Sequence, residues 1–302
     1  MERVSSTSMI ENRHLRYFIE VARTLHMTRA AEQLHIAQPA LSQNIQQLEE
    51  ELGTLLIHRD GRKLSLTEAG EVFLVEGERS LQQFELAKIA AQRAGRGEVG
   101  RIALGFGSTA GVQVVPRMVK NFCVKYPDVH VDLKEMGNDA QIAALRSGEI
   151  DVAVAYGLSS NEFQSRELTP ESLVVALPSD HPSASQASIE IKELSQDSLI
   201  LPLRSIAATI RDAVLAECSR AGFRPKLQQE IATIQTALGL VAMGLGVSVL
   251  PASIRYLSRE GVVILPIRNS PIEVPLRLLW KRGYVSPVVQ NLLETIEAPV
   301  SS

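Results

Sequence analysis

Apolar residues recur at helical spacing in two neighbouring segments near the start of the chain, separated by a short turn. Thr28 is placed to cap the first segment, and Pro39 suits the first turn of the second because its missing N–H costs nothing there. The apolar positions, three or four residues apart, are Ala30, Ala31 and Leu34 in the first segment and Leu41, Ile45, Leu48 and Leu52 in the second. The pattern predicts two short helices joined by a tight turn.

The outer face of the second helix is polar but almost uncharged, which is unusual for a face that only meets solvent. Glutamine amides can bond adenine in bidentate fashion, and serine can bond either kind of base. We therefore predict a helix-turn-helix whose second helix enters the major groove while the first crosses the DNA backbone. The residues expected at the DNA on these two helices are Thr28, Arg29, Gln38, Pro39, Ala40, Ser42, Gln43 and Gln46.

A hairpin is predicted directly after the helix-turn-helix. Residues 55–59 and 62–67 alternate as strands do, and Asp60-Gly61 between them is a two-residue turn signal. Such a hairpin would be a wing that places Arg59, Arg62 and Lys63 beside phosphates or a minor groove. The alternative is an ordinary surface hairpin with solvated charges.

Residues 68–94 contain no proline and keep a helical pattern, which predicts one helix about 39 Å long. A helix of this length needs something to pack against. Small or apolar residues recur at steps of four and three, which predicts a coiled-coil seam between two chains. The positions are Phe73, Gly77, Ser80, Phe84, Ala87, Ala91 and Ala94. The alternative is a lone connecting helix. The glycines of residues 95–100 then end the helix and predict a hinge.

From residue 101 onward, short β-branched strands alternate with helical patterns, which predicts an α/β fold with sheets covered on both faces. The spacing allows either one large sheet or two small ones. The predicted strands are 101–106, 129–136, 150–156, 172–178, 198–203, 227–231, 247–251, 262–266 and 274–280, and the predicted helices are 113–125, 139–148, 207–221, 234–243 and 286–297.

Residues 15–70, LRYFIEVARTLHMTRAAEQLHIAQPALSQNIQQLEEELGTLLIHRDGRKLSLTEAG, closely resemble the winged helix-turn-helix of LysR-type transcriptional regulators. The likeness continues through EMGNDAQIAAL and ALGLVAMGLGVSVLPAS, which are similar to the branch that responds to aromatic acids or muconate. The resemblance implies a regulatory domain of two Rossmann-like subdomains, as in periplasmic binding proteins. The implied organisation is a winged helix-turn-helix at 10–67, a linker helix at 68–94, a hinge at 95–100 and a regulatory domain at 101–302, with subdomain I at 101–168 and 272–302 and subdomain II at 169–271.

The resemblance also implies the partners of the chain. They are double-stranded promoter DNA, a small organic acid as effector, RNA polymerase, and further copies of the chain that form a homodimer and then a homotetramer. No cofactor, metal or membrane is expected.

Ligands of such sheets bind at the carboxyl ends of strands, beside helix N-termini that favour anions. The residues expected at the effector are Gly107, Ser108, Thr109, Asn138, Tyr156, Leu203, Arg204, Ser205 and Thr233. Each hydroxyl or amide could instead be a simple helix cap. By resemblance, Thr109, Asn138 and Tyr156 occupy effector-contacting positions, although an arginine is usual where this chain has Tyr156. We therefore expect an acid with one carboxylate and a ring or hydroxyl rather than a dicarboxylate.

Charge argues mildly against DNA binding. The chain has a net charge of −3, and residues 1–70 carry eight cations and nine anions. The acidic run Glu49–Glu51 lies at the far end of the second helix, so the cations of the wing can still face DNA. We expect affinity to depend on dimer avidity as well as on phosphate neutralisation.

Other functional classes find little support in the sequence. The chain has no apolar run long enough to span a bilayer and no signal peptide, so a cytoplasmic location is expected. Gly105-Phe106-Gly107 lacks the third glycine of a dinucleotide site, and there is no Walker A sequence, GxSxG elbow or metal-spaced cluster. Cys123 and Cys218 are either core residues or, as in the peroxide-sensing branch of the family, a redox switch; no basic cluster supports the switch. The rival classes are a solute-binding protein and a periplasmic-fold enzyme such as a porphobilinogen deaminase, and neither needs the first 95 residues.

Overall fold

The computed structural model describes residues 10–60, 63–157, 161–269, 272–283 and 285–296. The chain folds as two compact units that divide between Gln92 and Arg93. Each unit has its own hydrophobic core, so each is described by itself.

The first unit consists of three short helices, a hairpin and a long helix. Its elements are α1 (Asn12–Thr24), α2 (Met27–Gln33), α3 (Gln38–Leu52), β1 (Ile57–Asp60), β2 (Lys63–Leu66) and α4 (Glu68–Gly95). The apolar face predicted for α3 forms its core, where Leu41, Ile45 and Leu48 pack with Phe18 of α1 and are fully buried. Gly53 ends α3 with a positive φ of 67°, a conformation that glycine adopts without strain.

Thr28 does not cap α2, contrary to the prediction. His26 occupies the cap, and its Nδ1 accepts a hydrogen bond from the backbone N–H of Arg29 at 3.3 Å. The helix therefore begins at Met27, and Thr28 is an exposed residue within its first turn. Histidine is a less common cap than threonine, and for that reason the residue pattern favoured the wrong position.

The predicted hairpin forms, with strand pairs from Ile57–Leu66 to Asp60–Lys63, but Asp60 belongs to β1 and not to the Asp60-Gly61 turn that the sequence predicts. The two connecting residues, 61 and 62, lie outside the described residues, and with them the predicted contact residue Arg62. Thr67 then caps α4: its Oγ1 accepts from the N–H of Gly70 at 2.9 Å and donates to the carbonyl of Leu55 at 2.7 Å. The end of the wing and the start of α4 are therefore tied together.

The second unit is an α/β structure with helices packed on its strands. Its elements are β3 (Val99–Phe106), α5 (Val114–Lys125), β4 (Asp128–Glu135), α6 (Asn138–Ser147), β5 (Val152–Tyr156), β6 (Phe163–Pro178), β7 (Ser198–Pro202), α7 (Arg204–Arg220), β8 (Lys226–Ile231), α8 (Ile234–Ala242), β9 (Val247–Pro251), β10 (Val262–Pro266), β11 (Glu273–Lys281) and α9 (Pro287–Thr295). Short 3-10 turns cover Ile191–Gln196 and Ala252–Tyr256. The strand order is β4-β3-β5-β11-β6-β9-β7-β8, and β10 also pairs with β6.

Strand β6 joins two sheets. From Phe163 to Ser172 it pairs with β11, and from Leu173 to Pro178 it pairs with β9 and β10. The fold is therefore two smaller sheets that share one long strand, the alternative that strand spacing alone left open. The first half of β6 was not predicted, because its polar residues and Pro170 do not alternate as a half-buried strand does.

The glycine-rich segment 95–100 ends α4 as predicted, but it is packed against α9. Gly97 has a positive φ of 66°, and a Cβ at this position would lie 2.6 Å from the carbonyl carbon of Pro287. The side-chain amide of Asn291 donates to the carbonyl oxygens of Arg96 at 2.8 Å and Gly97 at 3.1 Å. The end of the linker helix is thus held by the second unit, and the boundary between the units lies earlier, inside α4.

Candidate DNA interface and effector cleft

The outer face of α3 has the polar character that the sequence predicts. Gln38, Pro39, Ala40 and Gln43 are exposed and Ser42 is half-buried. Within the described part of the chain, the Gln43 amide makes no hydrogen bond. Gln46 is also exposed, but its amide donates to Glu50 at 3.0 Å and must leave this partner to meet a base. Gln43 is therefore the better placed of the two amides for a base contact.

Three of the cations predicted at the DNA are exposed on α2 and the wing, the elements before and after α3. Arg29 is exposed on α2, and Arg59 and Lys63 are exposed on the paired strands of the wing. Arg59 Nη2 lies 3.8 Å from a carboxylate oxygen of Glu49, a residue that the charge pattern did not single out. Exposed cations on these elements suit contacts to phosphates beside a helix that lies in a groove.

The first positions of the predicted seam on α4 are used within the chain. Phe73 packs edge-on against Phe18 of α1, with ring centroids 5.2 Å apart, and Gly77 lies against Leu15. Phe73 is therefore partly buried against the core of the first unit, and its place in a seam between chains stays a prediction. Phe84, Ala87 and Ala91 are exposed.

A different face of α4 carries exposed apolar side chains that the sequence analysis missed. Val72, Val75, Leu86 and Ile89 are 65, 48, 52 and 51% exposed, and we call them the outer stripe. They occupy first and fourth positions of a heptad repeat, interrupted by Arg79 and Gln82. Phe73 and Gly77 have the same three-and-four spacing as the residues of the outer stripe. Periodicity alone therefore did not show which face of α4 packs within its own chain.

In the second unit, the start of α6 contacts the start of α7. Gly137 precedes α6, and a Cβ on it would lie 3.1 Å from the carbonyl oxygen of Ser205 and 2.6 Å from the Ile206 side chain in the first turn of α7. Only a residue without a side chain permits this approach. The contact involves only the start of α7, because Ala207, with φ −152° and ψ 64°, interrupts the helix after its first three residues. The N-terminus of α6 gives this region positive potential.

Asn138 lies at this junction. It is the first residue of α6, and Gly137 takes the cap position. Its side chain is only 6% exposed, and its Nδ2 has no hydrogen-bond acceptor among the described residues. Thr109, in the turn after β3, is also buried, and Gly107 and Ser108 beside it are half-buried. A buried amide donor without an acceptor is costly and suits a ligand oxygen.

Tyr156 is buried at the end of β5, and its hydroxyl already has a partner. The hydroxyl donates to the Glu171 carboxylate on β6, and the same carboxylate accepts from the backbone N–H of Ser253 at 2.5 Å. Burial, and then the charge of Glu171, raise the pKa of Tyr156 well above its usual range. Tyr156 therefore offers its ring, rather than a free hydroxyl, to anything beside it. Neither Glu171 nor Ser253 was among the predicted site residues.

The remaining predicted effector residues divide into helix caps and surface groups. Thr233 caps α8, accepting from the N–H of Thr236 at 3.3 Å, and Leu203 precedes α7 as its cap. Arg204 is exposed and forms an ion pair with Asp212 at 2.6 Å, which corrects its assignment as the cation for an effector carboxylate. Ser205 contributes its backbone to the junction with Gly137.

Other kinds of site are not supported. Among the described residues, no group of three histidine, cysteine or acidic side chains could hold a metal ion. No helix in the described ranges is sufficiently long and apolar to cross a membrane. Cys218 is fully buried, and burial followed by the charge of Glu217 raises its pKa to about 11, which opposes thiolate chemistry.

Comparison with known proteins covers nearly the whole chain. Residues 12–71 match the family model described as bacterial regulatory helix-turn-helix protein, lysR family, and residues 95–299 match the LysR substrate binding domain. The chain is 37% identical to the HTH-type transcriptional regulator CatR of Pseudomonas putida over 290 residues, which covers 95% of this chain and 98% of CatR.

Solved structures agree with the sequence comparison. The crystal structure of CbnR, a LysR family transcriptional regulator, is similar with a TM-score of 0.85 at 26% identity, covering 95% of this chain and 100% of CbnR. Full-length CbnR complexed with its target DNA is similar with a TM-score of 0.83 at 25% identity, covering 95% of this chain and 98% of that chain.

Proposed function

The chain belongs to the LysR family of transcriptional regulators, and from this premise we propose how it recognises DNA and which effector controls it. As a member of the family it combines a DNA-binding helix-turn-helix with an effector-binding domain. This membership decides against the enzyme and solute-binding alternatives. The finer points, namely the contacting residues, the class of effector and the assembly, rest on the arguments below.

Sequence recognition is assigned to Gln43 and Ser42 on α3, with the cations of α2 and the wing on phosphates. The observation that supports this is the exposed Gln43 amide, which makes no hydrogen bond within the described part of the chain. One bidentate contact to adenine is worth about 1–3 kcal/mol of discrimination. Arg59, Arg62 and Lys63 would add affinity without sequence preference.

The test compares Gln43→Ala with Gln47→Ala on a duplex that the wild-type protein selects from a random library. Gln47 is an exposed glutamine on the same helix whose amide already bonds Glu51. We expect Gln43→Ala to lose about ten-fold or more in discrimination against unselected DNA, while Gln47→Ala keeps it. Equal selectivity of Gln43→Ala and wild type would show that this face does not recognise bases.

An organic acid is proposed as the effector, bound where α6 and α7 meet. The observation that carries this proposal is the buried Asn138 amide without an acceptor among the described residues, placed at the N-terminus of α6. Both features favour a carboxylate oxygen. Because the junction has one side in each subdomain, a bound anion would hold the two together and so bias the arrangement of the domain.

The Glu171 carboxylate argues for a single carboxylate on the effector. Tyr156 presents an uncharged ring where related regulators usually have an arginine. Its hydroxyl donates to the negatively charged carboxylate of Glu171. A second carboxylate there would be repelled. We therefore expect an aromatic or ring-derived monocarboxylate.

Calorimetric titration with benzoate and cis,cis-muconate as probes, within a wider panel of mono- and dicarboxylates, tests this site. Asn138→Ala and Thr109→Val should weaken binding of the acid that binds wild type. Arg204→Ala should leave it unchanged, because Arg204 is exposed and paired with Asp212. Tighter binding of dicarboxylates, or binding that Asn138→Ala leaves intact, would contradict the proposed cleft.

A homotetramer is proposed for the assembly. The outer stripe of α4 would pair two chains, and the two edge strands of the second unit, β4 and β8, each expose a leucine, Leu133 and Leu227, that a second contact could bury. Such an assembly could occupy two DNA sites and bend the DNA between them. We expect the effector to change promoter output by RNA polymerase through a change in this assembly rather than by release of DNA.

A further inference from the structure

One of the three consecutive glutamates at the end of α3 is buried. Glu49 is only 6% exposed, whereas Glu50 next to it is exposed. A buried carboxylate is costly unless hydrogen bonds and a cation compensate for the lost hydration. The sequence shows only an acidic run, so the exceptional position of Glu49 emerges from its contacts.

The Glu49 carboxylate connects the last turn of α3 with the first residues of the wing. Its Oε1 accepts hydrogen bonds from the backbone N–H groups of Leu56 at 2.8 Å and Ile57 at 3.0 Å. Its Oε2 lies 3.8 Å from Nη2 of Arg59, two residues further along β1. One side chain therefore bonds two successive backbone amides of the wing and attracts one of its exposed cations.

We propose that Glu49 is a positioning residue for DNA binding, which fixes the distance and angle between the base-contacting face of α3 and the cations of the wing. The turn between these elements is short: α3 ends at Leu52, and the first amide that Glu49 bonds is that of Leu56. Charge-assisted hydrogen bonds to a buried carboxylate are strong and directional. Glu49 also keeps the Arg59 guanidinium on the wing side of α3, from which it can meet a phosphate.

For removal of the Glu49 charge, the proposal predicts a change in DNA affinity opposite in sign to the one that simple electrostatics predicts. Removing a negative charge near DNA should strengthen DNA binding, because it reduces repulsion of phosphates. Glu50→Ala, at the exposed neighbour, should follow that rule. Glu49→Ala should instead weaken binding, because the wing and Arg59 lose their position.

The experiment uses full-length protein and the duplex selected by wild type from a random library. Affinity is measured over a range of salt concentrations by fluorescence anisotropy, and hydrogen exchange reports on the amides of Leu56 and Ile57. For Glu49→Ala we expect about ten-fold weaker binding, a salt slope shallower by about one, and faster exchange at these two amides. For Glu50→Ala we expect equal or tighter binding and unchanged exchange.

Glu49→Gln keeps the proposal testable if the alanine variant does not fold. Its amide oxygen can still accept from Leu56 and Ile57, but the charge that attracts Arg59 is gone. We expect near-normal exchange at the two amides together with a shallower salt slope. The proposal is overturned if the Glu49 and Glu50 variants shift affinity equally, or if Glu49→Ala exposes the two amides to exchange while affinity and salt slope stay those of wild type.

Discussion

The outer stripe of α4 allows a sharp prediction about assembly. Val72, Val75, Leu86 and Ile89 each have about half or more of their surface exposed. Leu86→Glu places a charge in the middle of this face without disturbing the isolated chain, because the position is exposed and glutamate is a good helix former. Phe84→Glu is the matched control on the other face of the same helix.

The magnitude follows from the exposed fractions. Full burial of a valine, leucine or isoleucine side chain is worth about 1.5–3 kcal/mol, so burying the exposed half of each contributes about 1 kcal/mol. Four residues from each of two chains then contribute about 8 kcal/mol, which lies within the range of about 4–15 kcal/mol that association costs. Other contacts along α4 must supply the surplus. An unpaired carboxylate buried in such a seam costs several kcal/mol, which is enough to separate the chains.

The assay is light scattering of the full-length protein after size-exclusion chromatography. Leu86→Glu should halve the mass of the assembly, because pairing through the second unit would persist. Phe84→Glu should keep the wild-type mass, since the Phe84 ring lies near the Lys88 ammonium, 6.0 Å away, and belongs to neither the core nor the stripe. If Phe84→Glu halves the mass and Leu86→Glu does not, the seam lies at Phe84, Ala87 and Ala91. If both variants keep the wild-type mass, α4 does not pair chains.

Three further predictions concern the second unit. Gly97→Ala should lower the free energy of unfolding by about 2 kcal/mol in urea titration, because its Cβ would meet the α9 backbone at 2.6 Å and its φ is positive, whereas Gly95→Ala, in open space, should cost nothing. With a pKa near 11, Cys218 should stay unalkylated by iodoacetamide in the native protein at pH 8, while half-exposed Cys123 reacts first; rapid labelling of Cys218 would contradict this. Glu171→Gln should shift the preference among acids toward muconate over benzoate in calorimetry, and an unchanged ratio would show that Glu171 does not select the effector.

Local pattern determined most of the elements of this protein. The helix-turn-helix, the hairpin that follows it, the long helix and the alternation of strands and helices after residue 101 all follow from the spacing of apolar positions, glycines and prolines. These signals act over a few residues. The polar, uncharged face of α3 follows in the same way. The resemblance to LysR-type regulators, carried by residues 15–70, then identified the family.

Tertiary structure decided which of several equivalent residues have special surroundings. Three adjacent glutamates look alike in sequence, yet Glu49 is buried and accepts hydrogen bonds from two backbone N–H groups at the start of the wing. Phe73 and Phe84 share one periodic pattern, yet Phe73 packs on Phe18 of α1 while Phe84 is exposed. Arg204 has the charge that an effector carboxylate needs, yet its partner is Asp212.

The same holds for long-range pairing. The first half of β6 becomes a strand because β11, about a hundred residues later in the chain, supplies its hydrogen bonds. Gly137 matters because α7 approaches it from the other subdomain, a contact between residues 68 positions apart. Composition and periodicity describe a residue and its near neighbours. The partners that fix a buried charge, a shared strand or a converging pair of helix ends come from distant parts of the chain, and only the folded structure brings them together.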